Sequence, residues 1–220
     1  MTVKNKTHRL TLMAMFAALA YIVMLVGRFP ISSVDFLKYD PKDVILVICG
    51  FILGPMPALL VTFVVSAIEM LTVSSTGIIG LIMNVLSSAG FACTAAFVYK
   101  KRHSLRGAAV GLMLGALVMT ALMLLWNYFI TPYYMGMPRE AVAAMLVPVF
   151  LPFNLIKSAL NAAIAMLIYK PVSRALRQIG LTEPAGGKAP EKKSVMGAML
   201  VAALVLVSCI FIVLIMRGII

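Results

Sequence analysis

Residues 195–216 run for twenty-two positions without a charged side chain, and the stretches 10–27, 78–98 and 107–130 are equally free of charge. A hydrocarbon layer roughly 30 Å thick is crossed by about 20 apolar residues in helical form. Barrel strands would alternate apolar and polar residues, and these stretches are continuously apolar, so helices are the only plausible spans. The composition agrees: 63% of the chain is hydrophobic, 12% is charged and the mean hydropathy is +1.06. A soluble domain of 220 residues has too little interior to bury so much apolar sequence. The expected fold class is therefore an all-α polytopic membrane protein.

The net charge of +12 does not point to nucleic acid, because the basic residues form short groups beside apolar segments rather than a continuous run. Thirteen of the nineteen Lys and Arg residues fall in the N-terminal tail, the connection between the fourth and fifth spans, and the segment after the sixth. By the positive-inside rule those segments face the cytoplasm. Cys49, Cys93 and Cys209 all lie within apolar stretches and behave as small hydrophobes, giving neither a disulfide framework nor a metal site. The first apolar run lacks an obvious cleavage site and reads as a retained helix.

Four parts follow along the chain: a cytoplasmic tail over 1–9, a six-helix membrane domain over 10–178, a flexible linker over 179–194, and an additional C-terminal transmembrane helix over 195–220. The first span covers 10–27 and stops at Arg28-Phe29-Pro30. A loop over 29–42 mixes Asp35, Lys38, Asp40 and Lys42 with Phe36 and Tyr39, a composition suited to covering a site. A short helix over 43–53 and a third to about Thr72 are joined by a tight turn at Gly54-Pro55. The fourth, fifth and sixth spans cover 78–98, 107–130 and 146–169. The last helix reads as an accessory anchor outside the working core.

Glu69 and Lys157 are the ionisable side chains that this reading places within spans, and a charge at membrane depth costs roughly 2.5–3.5 kcal/mol on insertion scales. Such residues mark a functional site or pair to fix helix packing, and both readings stand at this point. Asn154, Lys157 and Asn161 recur at three- and four-residue spacing and share one stripe of the sixth span. Asn84, with Ser87 and Ser88, lies in the fourth span, and Asn127 ends the fifth beside Trp126 and Tyr128. Amides facing lipid are penalised, so these helices are expected to converge on a cavity. Formal charges that cancel favour a neutral polar ligand, and the aromatics suit a flat ring. On the first helix, Ala14 and Ala18 form a small-xxx-small spacing that permits close approach of another helix.

These features together resemble the S components of energy-coupling factor transporters, and among them the riboflavin-specific branch. The resemblance spans about residues 8–178. It rests on Ala14-xxx-Ala18, the loop Phe36-Leu37-Lys38-Tyr39-Asp40, Gly54-Pro55, Glu69, and the stretch from Ser75-Thr76-Gly77 to Asn84. Asn127 and Phe153-Asn154-Leu155-Ile156-Lys157 complete it. It implies a six-helix core that binds a vitamin from the outer face of a prokaryotic cell membrane, the N-terminus being cytoplasmic. The transported ligand is then riboflavin, or its phosphate ester FMN, with no cofactor and no metal. The binding side chains carry over to Leu37, Lys38, Tyr39, Glu69, Asn127, Asn154 and Lys157, and Asn84 joins them from its place in the fourth span. The implied partners are a transmembrane coupling protein, docking at Ala14 and Ala18, and two ATPases that supply the energy. The chain itself has no phosphate-binding loop of the G-xxxx-GK-[ST] type. Two alternatives remain: the same fold serving another vitamin or precursor, and an intramembrane lipid-modifying enzyme with Glu69 as base. The second lacks an HExxH or paired-aspartate motif. The seventh helix departs from the six-helix pattern.

Overall fold

A computed structural model describes residues 6–31, 37–178 and 192–216. Helix α1 (Lys6–Gly27) leads into a short antiparallel hairpin in which Phe29 of β1 (Phe29–Pro30) pairs with Tyr39 of β2 (Lys38–Tyr39). The segment expected as a plain loop is thus a ladder that fixes which side chains face inward. Asp35 and Phe36, assigned to that loop, lie outside the described residues. Lys6 and Arg9, expected in a tail, belong to the first helix.

Helix α2 (Lys42–Leu53) has 12 residues, about 18 Å at 1.5 Å per residue, which is too short to span a bilayer. It does not need to. Every residue from Lys42 to Ile52 is buried, because α2 is sheathed by α1, α3 (Pro55–Thr72), α4 (Gly77–Lys101) and α8 (Leu151–Gln178). Its end is sharp: Gly54 adopts φ 97°, a left-handed conformation that glycine reaches without a Cβ clash, and Pro55 begins α3 with the ring already set for a helix.

Helices α4 and α5 (Leu105–Phe129) form the closest pair, through glycine. A Cβ on Gly111 would meet the Ala95 carbonyl oxygen at 2.7 Å, and one on Gly115 would meet that of Phe91 at 2.6 Å. Between helices in lipid, packing takes the place of the hydrophobic drive, so backbones that touch through glycine supply much of the cohesion. Ser104 caps α5 by accepting a hydrogen bond from the Gly107 N–H at 3.0 Å.

The sixth span differs from its expected form. Short helices α6 (Thr131–Met135) and α7 (Arg139–Met145) precede a π turn at Leu146–Phe150, from which α8 continues to Gln178. Pro148 and Pro152 cannot donate to the regular ladder, and the wider turn absorbs that loss. Among the described residues, six helical segments are long and apolar enough to cross a membrane: α1, α3, α4, α5, 139–172 and 196–215. The last lies within α9 (Lys192–Met216), which packs along α8. Of the expected linker, 179–191 lies outside the described residues.

Candidate functional site

At the hairpin end of the bundle, five pieces of chain enclose a cavity of about 70 Å³, room for roughly five waters. Arg28, Leu37, Lys38 and Asp40 come from the hairpin, and Ser74, Ser75 and Thr76 from the turn between α3 and α4. Met83, Asn84 and Ser87 of α4, Met123 and Asn127 of α5, and Phe153, Asn154 and Lys157 of α8 complete the wall. The convergence expected of the polar helices is what the structure shows for Asn84, Asn127, Asn154 and Lys157, together with Leu37 and Lys38.

Local bonding decides how much each wall residue has left to offer. Asn127 donates from Nδ2 to the Met123 carbonyl at 2.7 Å and accepts at Oδ1 from Thr131 at 2.8 Å. Asn154 donates to the Phe150 carbonyl at 2.8 Å, which leaves its side-chain carbonyl and its second amide hydrogen for a ligand. Ser87 is buried, and its Oγ has no hydrogen-bond partner among the described residues. A buried hydroxyl without a partner is costly, so a ligand that bonds to it recovers that cost.

Behind the wall lies a charge network that the sequence did not disclose. Glu69 and Lys157 do not pair. Glu69 is fully buried, binds Lys42 Nζ through Oε2, and meets Arg28 Nη1 at 3.0 Å through Oε1, off the axis of a good hydrogen bond. Lys42 also holds Asp40 Oδ2 at 2.6 Å, while its backbone N–H donates to Asp40 Oδ1 at 3.0 Å. Lys157 instead lies 3.4 Å from Asp43 Oδ2, and Asp43 Oδ1 accepts from Ser88 at 2.5 Å. Three carboxylates and three cations therefore balance within this network, where the sequence offers a single Glu and Lys within spans, and the exposed Lys38 adds one more cation to the cavity wall. Burial alone would raise the Asp40 carboxyl, but Lys42 and Lys157 hold it below the ordinary carboxylate range.

Two expected binding residues stand elsewhere. Glu69 is part of the floor and does not line the cavity. Tyr39 points to the far side of the hairpin, with its ring 5.0 Å from that of Phe29 and its hydroxyl donating to Asn161 Oδ1 at 2.8 Å. Burial, and the nearby Asp43 and Asp40 carboxylates, push the Tyr39 phenol up, so it stays a donor. Conversely, Arg28, Asp40, Lys42 and Asp43, which by sequence fall in a loop or at a helix boundary, are members of the network. The one sequence signal that bears on them is the shortness of the 43–53 helix. Ala14 and Ala18 are exposed on the outer face of α1.

A bundle of membrane-crossing helices with a half-enclosed polar cavity at one end defines a multi-pass membrane protein built to hold a small molecule. Residues 8–169 match the family model of the ECF transporter, substrate-specific component. The chain is 31% identical to the riboflavin transporter FmnP of Bacillus subtilis (strain 168), over 74% of this chain and 91% of that protein. It is 28% identical to the riboflavin transporter RibU of Staphylococcus aureus (strain TCH60), over 80% and 95% respectively. A solved S component of a bacterial ECF transporter superposes with a TM-score of 0.68 at 28% identity, covering 79% of this chain and 99% of that one. The chain thus belongs to the substrate-specific components of ECF transporters. It is a transport subunit and not an enzyme, which removes the lipid-modifying alternative.

Proposed function

We propose that this chain binds riboflavin at the hairpin-end cavity and releases it inward under the drive of a partner module. The observation that carries the reading is the similarity over nine-tenths of a riboflavin transporter, joined to a cavity backed by a buried ion network whose charges cancel, with the exposed Lys38 as one further cation on the wall. A neutral ring system suits such a site, because the buried charges already neutralise one another and the amides and hydroxyls can orient it. Phe153 offers a buried ring, and Asn84, Ser87, Asn154 and Lys157 offer polar groups. Met83 and Met123 are unbranched and adapt their shape as a flat ligand enters.

The carriers of the remaining roles follow from the same reading. The basic segments put the N-terminus and the α4–α5 connection in the cytoplasm of a prokaryotic cell, leaving the cavity on the outer side. Ala14 and Ala18, exposed and small, form the close-approach face for a transmembrane coupling protein, and two ATPases act behind it. Riboflavin is cargo, and no cofactor is invoked.

The test is direct. The chain is purified in detergent from riboflavin-replete cells, and flavin absorption and released fluorescence are measured. A stoichiometric flavin signal, or saturable quenching of added riboflavin, supports the reading. A colourless protein that quenches no riboflavin overturns it, leaving the family to be matched with another vitamin or precursor.

A further inference from the structure

Helix α9 begins at Lys192, beyond residue 169 where the match to the family model ends. Its sequence is almost uniformly apolar, yet one face is buried: Ala202, Cys209 and Val213, with Leu206 partly buried between them. These positions recur at four, three and four residues, one stripe of a helix. The opposite side, with Leu200, Leu204 and Val207, is exposed.

The buried stripe does more than lie on α8. Cys209, Val213 and Leu206 belong to one cluster with Tyr39, Leu37 and Phe153, residues of the hairpin and the cavity wall, and Leu206 and Val213 share with Phe29 and Tyr39 the lining of an apolar chamber of about 320 Å³. We infer that α9 is a working part of the binding site: it closes the apolar chamber onto which the Tyr39 ring opens, and Tyr39 in turn positions Lys157 through Asn161 and Asp43.

The relay has a definite polarity. The Tyr39 hydroxyl donates to Asn161 Oδ1, so the Asn161 amide must turn its Nδ2 toward the other side. There it meets only acceptors, the Asp40 carbonyl at 3.3 Å and Asp43 Oδ2 at 3.4 Å. Asp43 Oδ2 is the atom that also holds Lys157 Nζ, and Lys157 lines the cavity. Fixing the tyrosine thus fixes the amide, the carboxylate and the lysine in turn. Tyr39 is therefore a positioning residue rather than a ligand contact, and α9 supplies the wall that closes the chamber beside its ring.

The inference rests on the proposed riboflavin site, so its test has one readout with ligand and one without. Leu206→Ala with Val213→Ala loosens the wall in the full chain, Leu206→Met with Val213→Ile preserves it, and Leu204→Ala alters only the exposed side. With ligand, the loosened variant binds riboflavin about fivefold more weakly, and its loss disappears in a Tyr39→Phe background because both changes act through the same hydroxyl. The conservative variant restores wild-type affinity. Without ligand, amide exchange over residues 37–40 speeds up in the loosened variant but not in Leu204→Ala. Wild-type exchange in the loosened variant overturns the inference, as do affinity losses that multiply in the Tyr39→Phe background. If the wild-type chain binds no riboflavin, the functional reading fails and the exchange result still decides the role of α9.

Discussion

Lys157 Nζ lies 3.4 Å from Asp43 Oδ2 and also borders the cavity, while Asp43 is independently held by Ser88 and Asn161. The carboxylate therefore keeps two partners when the lysine is removed. The lysine, by contrast, has donors left for a ligand, since an ammonium carries three.

Lys157→Ala is accordingly expected to fold and to bind riboflavin at least about tenfold more weakly, the range for losing a charge-assisted hydrogen bond. Fluorescence-quenching titration measures it. An unchanged affinity in a well-folded variant would remove Lys157 from the site.

Glu69 gives the opposite expectation. It is the partner of both Lys42 and Arg28, and taking it away leaves Lys42, which is fully buried, with Asp40 alone. Breaking a buried ion pair from one side costs about 3–5 kcal/mol. Glu69→Ala should lower the thermal unfolding midpoint and the yield of monodisperse protein in detergent. If it leaves stability intact and abolishes flavin binding, Glu69 contacts the ligand after all.

The contrast between these two residues shows what the sequence discloses. Hydropathy places the spans because each stretch must satisfy the bilayer on its own, whatever its neighbours do. The stripe of Asn154, Lys157 and Asn161 is likewise visible, since helical spacing alone puts the three on one face. Lys42 and Asp43 are not visible in this way. Beside Pro41 they resemble a helix boundary in water, and only the sheath of four surrounding helices buries them. The Tyr39 hydroxyl reaches Asn161 across 122 residues of chain, a pairing that no local pattern announces.

Ala14 and Ala18 are exposed on α1. Replacing both by Leu should leave riboflavin affinity in detergent unchanged and sharply reduce uptake by cells that express the coupling module, because helices brought together through small residues are forced apart. Normal uptake by the double variant would place the coupling surface elsewhere.

Ser87 separates binding from stability most cleanly. Ser87 lines the cavity, and its buried hydroxyl has no partner among the described residues, so it makes no bond to them that Ala would lose. Removing an unsatisfied buried hydroxyl is neutral or mildly stabilising, whereas removing one that bonds to a ligand costs about 1 kcal/mol, or roughly fivefold in affinity. Ser87→Ala is therefore expected to unfold at the same or a slightly higher temperature without riboflavin and to bind it more weakly. The two effects have opposite signs, and general damage to α4 would move both the same way. A variant that is less stable when empty, with affinity unchanged, would show that Ser87 serves the helix rather than the ligand.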